Sequence, residues 1–320
     1  MPRVPILDLH CDTVTEMLDG RSLYENDGMV SIVKMRDGGV FCQFFAMFIH
    51  MSVYESIEAA YGQLRKNHCN FMGELEKHQE HIALAHNAAG IAANRKAGKI
   101  SAILTVEEGG VLDNKPERLD ELYEMGVRLL TLTWNFENSL GFPRSLEADA
   151  MNRPLKPFGL EVVERMQGLG MIVDVSHLSD GGFWDVAKLA AGHGKKPFVA
   201  SHSNARSICN HPRNLTDGML KALADAGGVA GINFFPRFLG GGEKGTVGQI
   251  ICHIKHIHKV AGLDVIALGG DLDGFNGANE ISDCSKFGLL TDALASAGYS
   301  EDDIEKICWK NAMRVIEETL

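Results

Sequence analysis

The sequence predicts an α/β fold, a (β/α)8 TIM barrel built as one domain over residues 1–320. Three observations lead there. Strand-length apolar segments rich in β-branched and aromatic residues recur along the chain, and most precede a longer stretch with helical spacing. These segments are continuous apolar runs rather than alternating ones, as strands of a parallel sheet covered on both faces require. A length of 320 residues suits a barrel that forms one unit.

The strands are expected at 4–9, 40–48, 100–106, 128–133, 171–175, 197–201, 228–234 and 265–268. Helices are expected at 52–78, 83–97, 116–124, 157–167, 215–226, 246–261 and 301–318. In the last of these Ile304, Ile307, Cys308, Val315 and Ile316 recur at three- and four-residue steps, Ser300 can cap, and Glu301 to Asp303 suit the positive end of the dipole. The Gly-rich stretch 239–245 reads as a mobile loop near one barrel end, and 135–154 as a long connection without periodicity.

Composition narrows the function classes. With 45% hydrophobic and 23% charged residues the chain has globular values, which removes support for disordered, collagen-like or coiled-coil readings. No apolar run approaches the roughly 18 residues of a membrane span, and residues 1–9 lack the apolar region of a signal peptide, so a cytoplasmic protein without membrane association is expected. The 7 cysteines are odd in number and scattered without a CxxC pair, as expected of reduced thiols. A net charge of -11, with basic clusters no larger than Lys195 and Lys196, argues against nucleic acid as a partner.

Chemistry-bearing residues gather at the ends of the expected strands. The first ends in His10, Cys11, Asp12, the third in Glu107 and Glu108, the fifth in Asp174 to His177, and the sixth in Ser201 and His202. In a parallel barrel these C-terminal ends converge on one mouth, where the active sites of this architecture lie. Two histidines, a His/Asp pair and a shared carboxylate can hold two divalent ions, and zinc takes such a mixture of N and O ligands. Two ions about 3.5–4 Å apart activate water and polarise a carbonyl, so hydrolysis is the expected chemistry. Asp271, after the eighth strand, would reach the same mouth and could move a proton; Asp273 reads as a turn residue. Arg206 or Arg213 could hold an anionic substrate end with a bidentate fork. Of the remaining histidines, His253, His256 and His258 are expected on a surface helix without acidic partners, and His50 near the mouth.

These segments resemble the membrane (renal) dipeptidase family of metal-dependent amidohydrolase-type barrels. The resemblance lies in DLHCDT at 8–13, EGG at 108–110, LLTLT at 129–133, DVSHLSD at 174–180, SHSNARSICNHPRN at 201–214 and GGDLDG at 269–274. It implies a binuclear zinc dipeptidase with two Zn2+ per chain: His10 and Asp12 on one ion, His177 and His202 on the other, and Glu108 as the bridge because it directly precedes the Gly pair. It further implies that a metal-bridging hydroxide attacks the peptide carbonyl, that Asp271 manages the proton, and that Arg213 binds the terminal carboxylate, which leaves Arg206 as a surface residue. Dipeptides, including those with a D-residue at the C-terminal position, are the implied substrates, and a homodimer is the default assembly. One departure is Trp134, which stands where animal members carry a substrate-contacting histidine; indole cannot accept a proton, and Asn135 or the metals are expected to substitute. Trp134 also opens a second reading, a metal-dependent hydrolase of a cyclic amide, lactam or lactone.

Overall fold

Every expected apolar run becomes a parallel strand: β1 (Ile6–Cys11), β2 (Val40–Phe48), β3 (Ile100–Glu107), β4 (Val127–Thr131), β5 (Ile172–Asp174), β6 (Val199–Ala200), β7 (Val229–Ile232) and β8 (Ile266–Leu268). The computed structural model describes residues 4–17, 20–192, 196–240 and 242–320, so the basic residue Lys195 and Gly241 of the Gly-rich stretch lie outside the described residues. Strands pair in chain order from β2 to β8, and β8 pairs with β1 through Asp8 and Leu268, which closes the barrel. The pairing of β2 with β3 runs from Cys42 with Ser101 to Phe48 with Glu107.

Inside the closed sheet, one apolar layer draws on every strand, with Leu7, Cys42, Phe44, Ile103, Leu129, Ile172, Val199, Val229 and Ala267. The C-terminal helix Asn311–Thr319 adds Ala312, Val315 and Ile316 to this layer. The other face of the strands, including Leu104, Val106, Leu130, Val173 and Leu268, packs beneath the surrounding helices. This two-sided burial is why the strand sequences lack alternation. Between β6, β7 and β8 the backbones come unusually close: a Cβ on Gly231 would lie 1.9 Å from the Ser201 carbonyl oxygen and one on Gly269 1.7 Å, so both positions require glycine.

Several elements differ from expectation for identifiable reasons. The helix expected at 83–97 begins instead at Ala88, where the Asn87 side chain accepts from the Gly90 amide, and Ile82–Leu84 before it is a short strand paired with the start of β3. The terminal helix is interrupted by a π turn at Lys306–Lys310. Helices at Ile32–Gly38, Asp180–Ala190 and Phe287–Ser296, and short turns of helix at Thr13–Glu16, Ala148–Met151 and Pro236–Leu239, lie outside the expected set. Part of the Gly-rich stretch is ordered by pairing, since Lys244–Gly245 lies against Ala278–Asn279. His253 is buried rather than exposed, on the face of helix Val247–Ala261 that also carries Ile250, Ile254 and Ile257, and His256 does have an acidic partner, with Nε2 2.7 Å from Asp217 Oδ1. Among the described residues no helix is long and apolar enough to cross a membrane.

Candidate active site

The site begins with a change of phase in β1. Leu7 and Leu9 point to the inner layer, so strict alternation would send His10 outward, yet Cys11 joins the outer layer. The register against β2 shifts between Asp8 and Cys11, and this irregularity turns both His10 and Asp12 toward the mouth. His10 Nε2 then lies 3.3 Å from Asp12 Oδ2, 3.6 Å from Glu107 Oε2 and 3.8 Å from Asp271 Oδ1. From the neighbouring strand ends come His177 and His202, whose Nε2 atoms are 3.1 Å apart and lie 3.1 and 3.4 Å from Glu107 Oε1. His177 and Asp271 both sit at positive φ, 68° and 59°, an uncommon backbone state for such residues that is concentrated at functional sites.

The hydrogen bonds behind the histidines fix which nitrogen faces the cluster. Ser201 Oγ donates to Asp174 Oδ2 at 2.6 Å and therefore accepts from His202 Nδ1 at 2.7 Å. Asn135 Oδ1 can only accept, so His177 Nδ1, 3.1 Å away, is its donor. Both Nε2 lone pairs are thus left pointing at Glu107, as metal-ligating histidines require. Burial, reinforced by Arg213 for both rings, by Arg144 for His177 and by His10 for His202, holds both well below the usual histidine range and hence neutral. His10 behaves oppositely: burial alone would lower it, but Asp12, Glu107 and Asp271 outweigh that and raise it to about 10. The Glu107 carboxyl is pushed well up, first by burial and then by Asp12 and Asp271, against His10 and Arg213.

This donor set fits divalent cations. Crowded carboxylates and neutral imidazoles need a positive charge among them, and Asp12 Oδ1 is buried without a hydrogen-bond partner. Two groups of potential ligand atoms lie within 4.8 Å of one another, His10 with Glu107 and His202, and His10 with Asp12 and Asp271.

Glu108, expected as the bridge, turns away. β3 ends at Glu107, and Glu108 leaves it at φ 116°, with Oε1 accepting from the Gly110 amide at 2.7 Å and from Asn138 Nδ2 at 2.6 Å, and Oε2 from the Trp134 amide at 3.2 Å. Those bonds occupy its carboxylate in shaping the loop after β3. Glu107 continues the inward set Ile103 and Thr105, whereas Leu104 and Val106 face the helices. Thr105 and Glu107 are polar where Leu104 and Val106 are apolar, a pattern that assigns the inward face only once the phase of the strand is known.

A cavity of about 800 Å³ opens over the cluster. Asp12, Glu107, His177 and Asp271 reach it, and aromatic rings wall it: Phe48 with Trp134, and Phe235 with Phe238 and Phe275. Asp271 is held by Asn233, whose Nδ2 donates to its Oδ2 at 2.8 Å, so Oδ1 remains toward His10. Trp134 packs its ring 4.8 Å from those of Phe48 and His50. Asn135 lines the cavity while its Oδ1 is engaged by His177 and by Arg144 Nη2 at 3.1 Å. Arg213 is buried behind the two histidines, donating from Nη1 to Ser203 Oγ and from Nη2 to the His202 carbonyl, both at 3.2 Å. It shares a narrow recess with His177 and Arg144. Arg206, by contrast, is paired bidentately with Asp180. Asn233, Arg144 and the second aromatic group carry no sequence motif and emerge only from the fold.

The family model for membrane dipeptidase (peptidase family M19) matches residues 1–320. The chain belongs to this family. It is a metallo-dipeptidase, and the candidate metal-binding groups described above lie at the mouth of its barrel. Curated relatives of this dipeptidase include an uncharacterized dipeptidase of Schizosaccharomyces pombe, 32% identical over 307 residues, which cover 90% of this chain and 71% of the relative. A Klebsiella pneumoniae protein from the pqqA 5' region is 33% identical over 246 residues, 74% of this chain and 88% of its own length. Among solved structures, a metallopeptidase of Rhodobacter sphaeroides bound to a phosphinate mimic of the dipeptide L-Ala-D-Ala superposes with a TM-score of 0.91 at 22% identity, covering 99% of this chain and 100% of that one. A second family M19 structure, dipeptidase AC, gives 0.90 at 24% identity with 99% coverage of both. At these identities the superpositions bear on the fold.

Proposed function

We propose that this dipeptidase works with two divalent cations, with zinc suited to the ligands, held by His10 and Asp12 on one side and His177 and His202 on the other, with Glu107 shared. The observation that carries this reading is the span of one carboxylate: Glu107 Oε1 faces the Nε2 atoms of His177 and His202, and Oε2 faces that of His10. When bound, such cations polarise a carbonyl and bring the pKa of water toward neutrality.

The chain's own groups then divide the remaining work. Asp271 Oδ1 is the free oxygen beside the cluster, placed to take the proton of the attacking water and return it to the departing amine. Burial first, then Asp12, pushes this carboxyl up to about 6, against His10, Arg213 and the Asn233 hydrogen bond; a cation beside it pulls the other way. The aromatic walls exclude water and receive substrate side chains, Trp134 among them, in place of the imidazole expected there. Arg213 contributes positive charge on the His177 side, where the substrate's terminal carboxylate would lie.

The substrates are dipeptides, and the ligand of the Rhodobacter sphaeroides neighbour supports including those with a D-residue at the C-terminal position. Family membership favours the dipeptide over the cyclic amide or lactone. Purified, zinc-loaded protein should cleave L-Ala-L-Ala or L-Ala-D-Ala, and Asp271→Asn should lower kcat by at least ~100-fold, the scale of general acid–base catalysis, with metal content unchanged. Opening of a lactam with no dipeptide cleaved would contradict the substrate reading, and full activity in the Asp271 variant would contradict the proton role.

A further inference from the structure

Arg144 is a cation in the cavity wall that has no carboxylate partner among the described residues. It lines both the large cavity, beside His177 and Asn135, and the recess it shares with Arg213. Its backbone is stapled to the metal-site loop, with the Arg144 amide donating to the His177 carbonyl at 2.7 Å. From the guanidinium, Nη2 donates to Asn135 Oδ1 at 3.1 Å, while Nε is shut from solvent without any acceptor. Among the described residues no carboxylate comes within 4.0 Å of it, whereas Arg118, Arg165 and Arg206 all have such partners.

A half-buried guanidinium whose Nε is shut in and which has no counter-ion among the described residues is costly, and its fork of donors matches a carboxylate. The charges around the cavity say where that carboxylate would come from. Asp12, Glu107 and Asp271 make one part of the wall anionic, while Arg144 and Arg213 lie together in the recess beside His177. Such a wall would orient a zwitterionic dipeptide with its carboxylate end toward the two arginines.

We propose that Arg144 is a carboxylate-binding residue of the substrate site, acting with Arg213 on an anionic group of the dipeptide's C-terminal residue. The inference rests on the dipeptide reading above and deepens it. The group recognised is the terminal carboxylate or a side-chain carboxylate on the same residue, and matched ligands separate the two. Arg213 is anchored to Ser203 and to the His202 carbonyl, so Arg144, facing the open cavity, is the more accessible fork.

The test is calorimetric binding of phosphinate dipeptide analogues to the metal-loaded wild type, Arg144→Ala and Arg144→Lys. Ligands are compared as free carboxylate against carboxamide at the terminus, and as Asp against Asn at the C-terminal side chain. Arg144→Ala should weaken a carboxylate-bearing ligand about 10- to 100-fold and its amide less than about threefold, the scale of a charge-assisted hydrogen bond, and Arg144→Lys should recover part of the loss. Loss confined to the terminal pair identifies the main-chain carboxylate, and loss confined to the Asp/Asn pair the side chain; either supports the proposal. Equal weakening of acid and amide overturns it, as does loss of zinc affinity in a chelator competition that accounts for the whole effect, because Arg144 would then only position Asn135 and His177. Dipeptide turnover by the wild type is scored separately: its absence beside an intact Arg144-dependent acid preference would fell the proposed chemistry and leave the anion site standing.

Discussion

At Glu107 and Glu108, two like side chains one residue apart meet opposite surroundings, and the backbone between them decides which reaches the cluster. Glu107 ends a regular strand on its inward face; Glu108 begins the loop at positive φ with its carboxylate spent on Gly110, Asn138 and Trp134. The two substitutions should therefore separate. Glu107→Gln should strip metal and activity while leaving thermal stability of the metal-free chain nearly unchanged or raised, since it replaces a carboxyl whose charged form burial, Asp12 and Asp271 already disfavour. Glu108→Gln should keep its metal and cost about 1–3 kcal/mol in urea unfolding, the scale of disturbing buried hydrogen bonds to a charged group. Elemental analysis beside unfolding curves for both variants checks this, and metal loss in the Glu108 variant alone would reverse the assignment. Ser201 gives a second residue-scale expectation. Because it ties His202 Nδ1 to Asp174, Ser201→Ala should weaken zinc about 10- to 100-fold in chelator competition, the usual effect of losing a partner behind a metal ligand. His10, Asp12, His177, His202 and Asp271 were legible as ligand-type residues at strand ends. The choice between adjacent glutamates was not, because alternation gives a face only once the strand's phase is known, and β1 shows that phase can slip within a strand.

Helices and strands were legible where periodicity or an apolar run was strong, and misread where a cap or a short pairing overrode it. Asn87 starts a helix later than composition suggests, and Ile82–Leu84 takes strand form because β3 offers it an edge. The helix Val247–Ala261 shows the same limit for side chains. His253 has Nδ1 accepting from the Ala205 amide at 3.2 Å and Nε2 donating to the Leu239 carbonyl at 2.9 Å, a pair of bonds only the neutral ring can make. Burial first, with His256 nearby, lowers its pKa from 6.5 to about 4, against the pull of the Leu239 carbonyl. Between those values the unfolded chain binds a proton that the folded chain refuses, so stability from this group is complete above pH 6.5 and declines as pH falls toward 4. The full span corresponds to about 3 kcal/mol. Urea unfolding at pH 7 and at pH 4.5 should show a larger loss in the wild type than in His253→Gln, and equal losses would remove His253 as the cause.

For the whole molecule, the barrel converts distance in sequence into proximity at one mouth: His10 and Asp271 stand at opposite ends of the chain yet flank one another because β1 and β8 close the sheet. That convergence was legible from strand order alone. The cavity walls were not, since Arg144, Asn233 and Phe275 lie in connections whose course follows from packing rather than from any local pattern. The same layout predicts how metal couples to stability. The ligands sit above the apolar layer rather than within it, so a chelator should leave the far-UV circular dichroism spectrum intact while lowering the melting temperature by several degrees, as loss of a ligand bound only by the folded state requires. Collapse of the spectrum on chelation would place the cations in the fold's foundation instead.

The shared use of Glu107 is tested most directly by an anomalous-difference map of zinc-loaded crystals. Two peaks should appear, each about 2.0–2.2 Å from one oxygen of Glu107, one also bonded to His10 and Asp12 and the other to His177 and His202. A single peak, or a pair bridged by Glu108, would contradict the account.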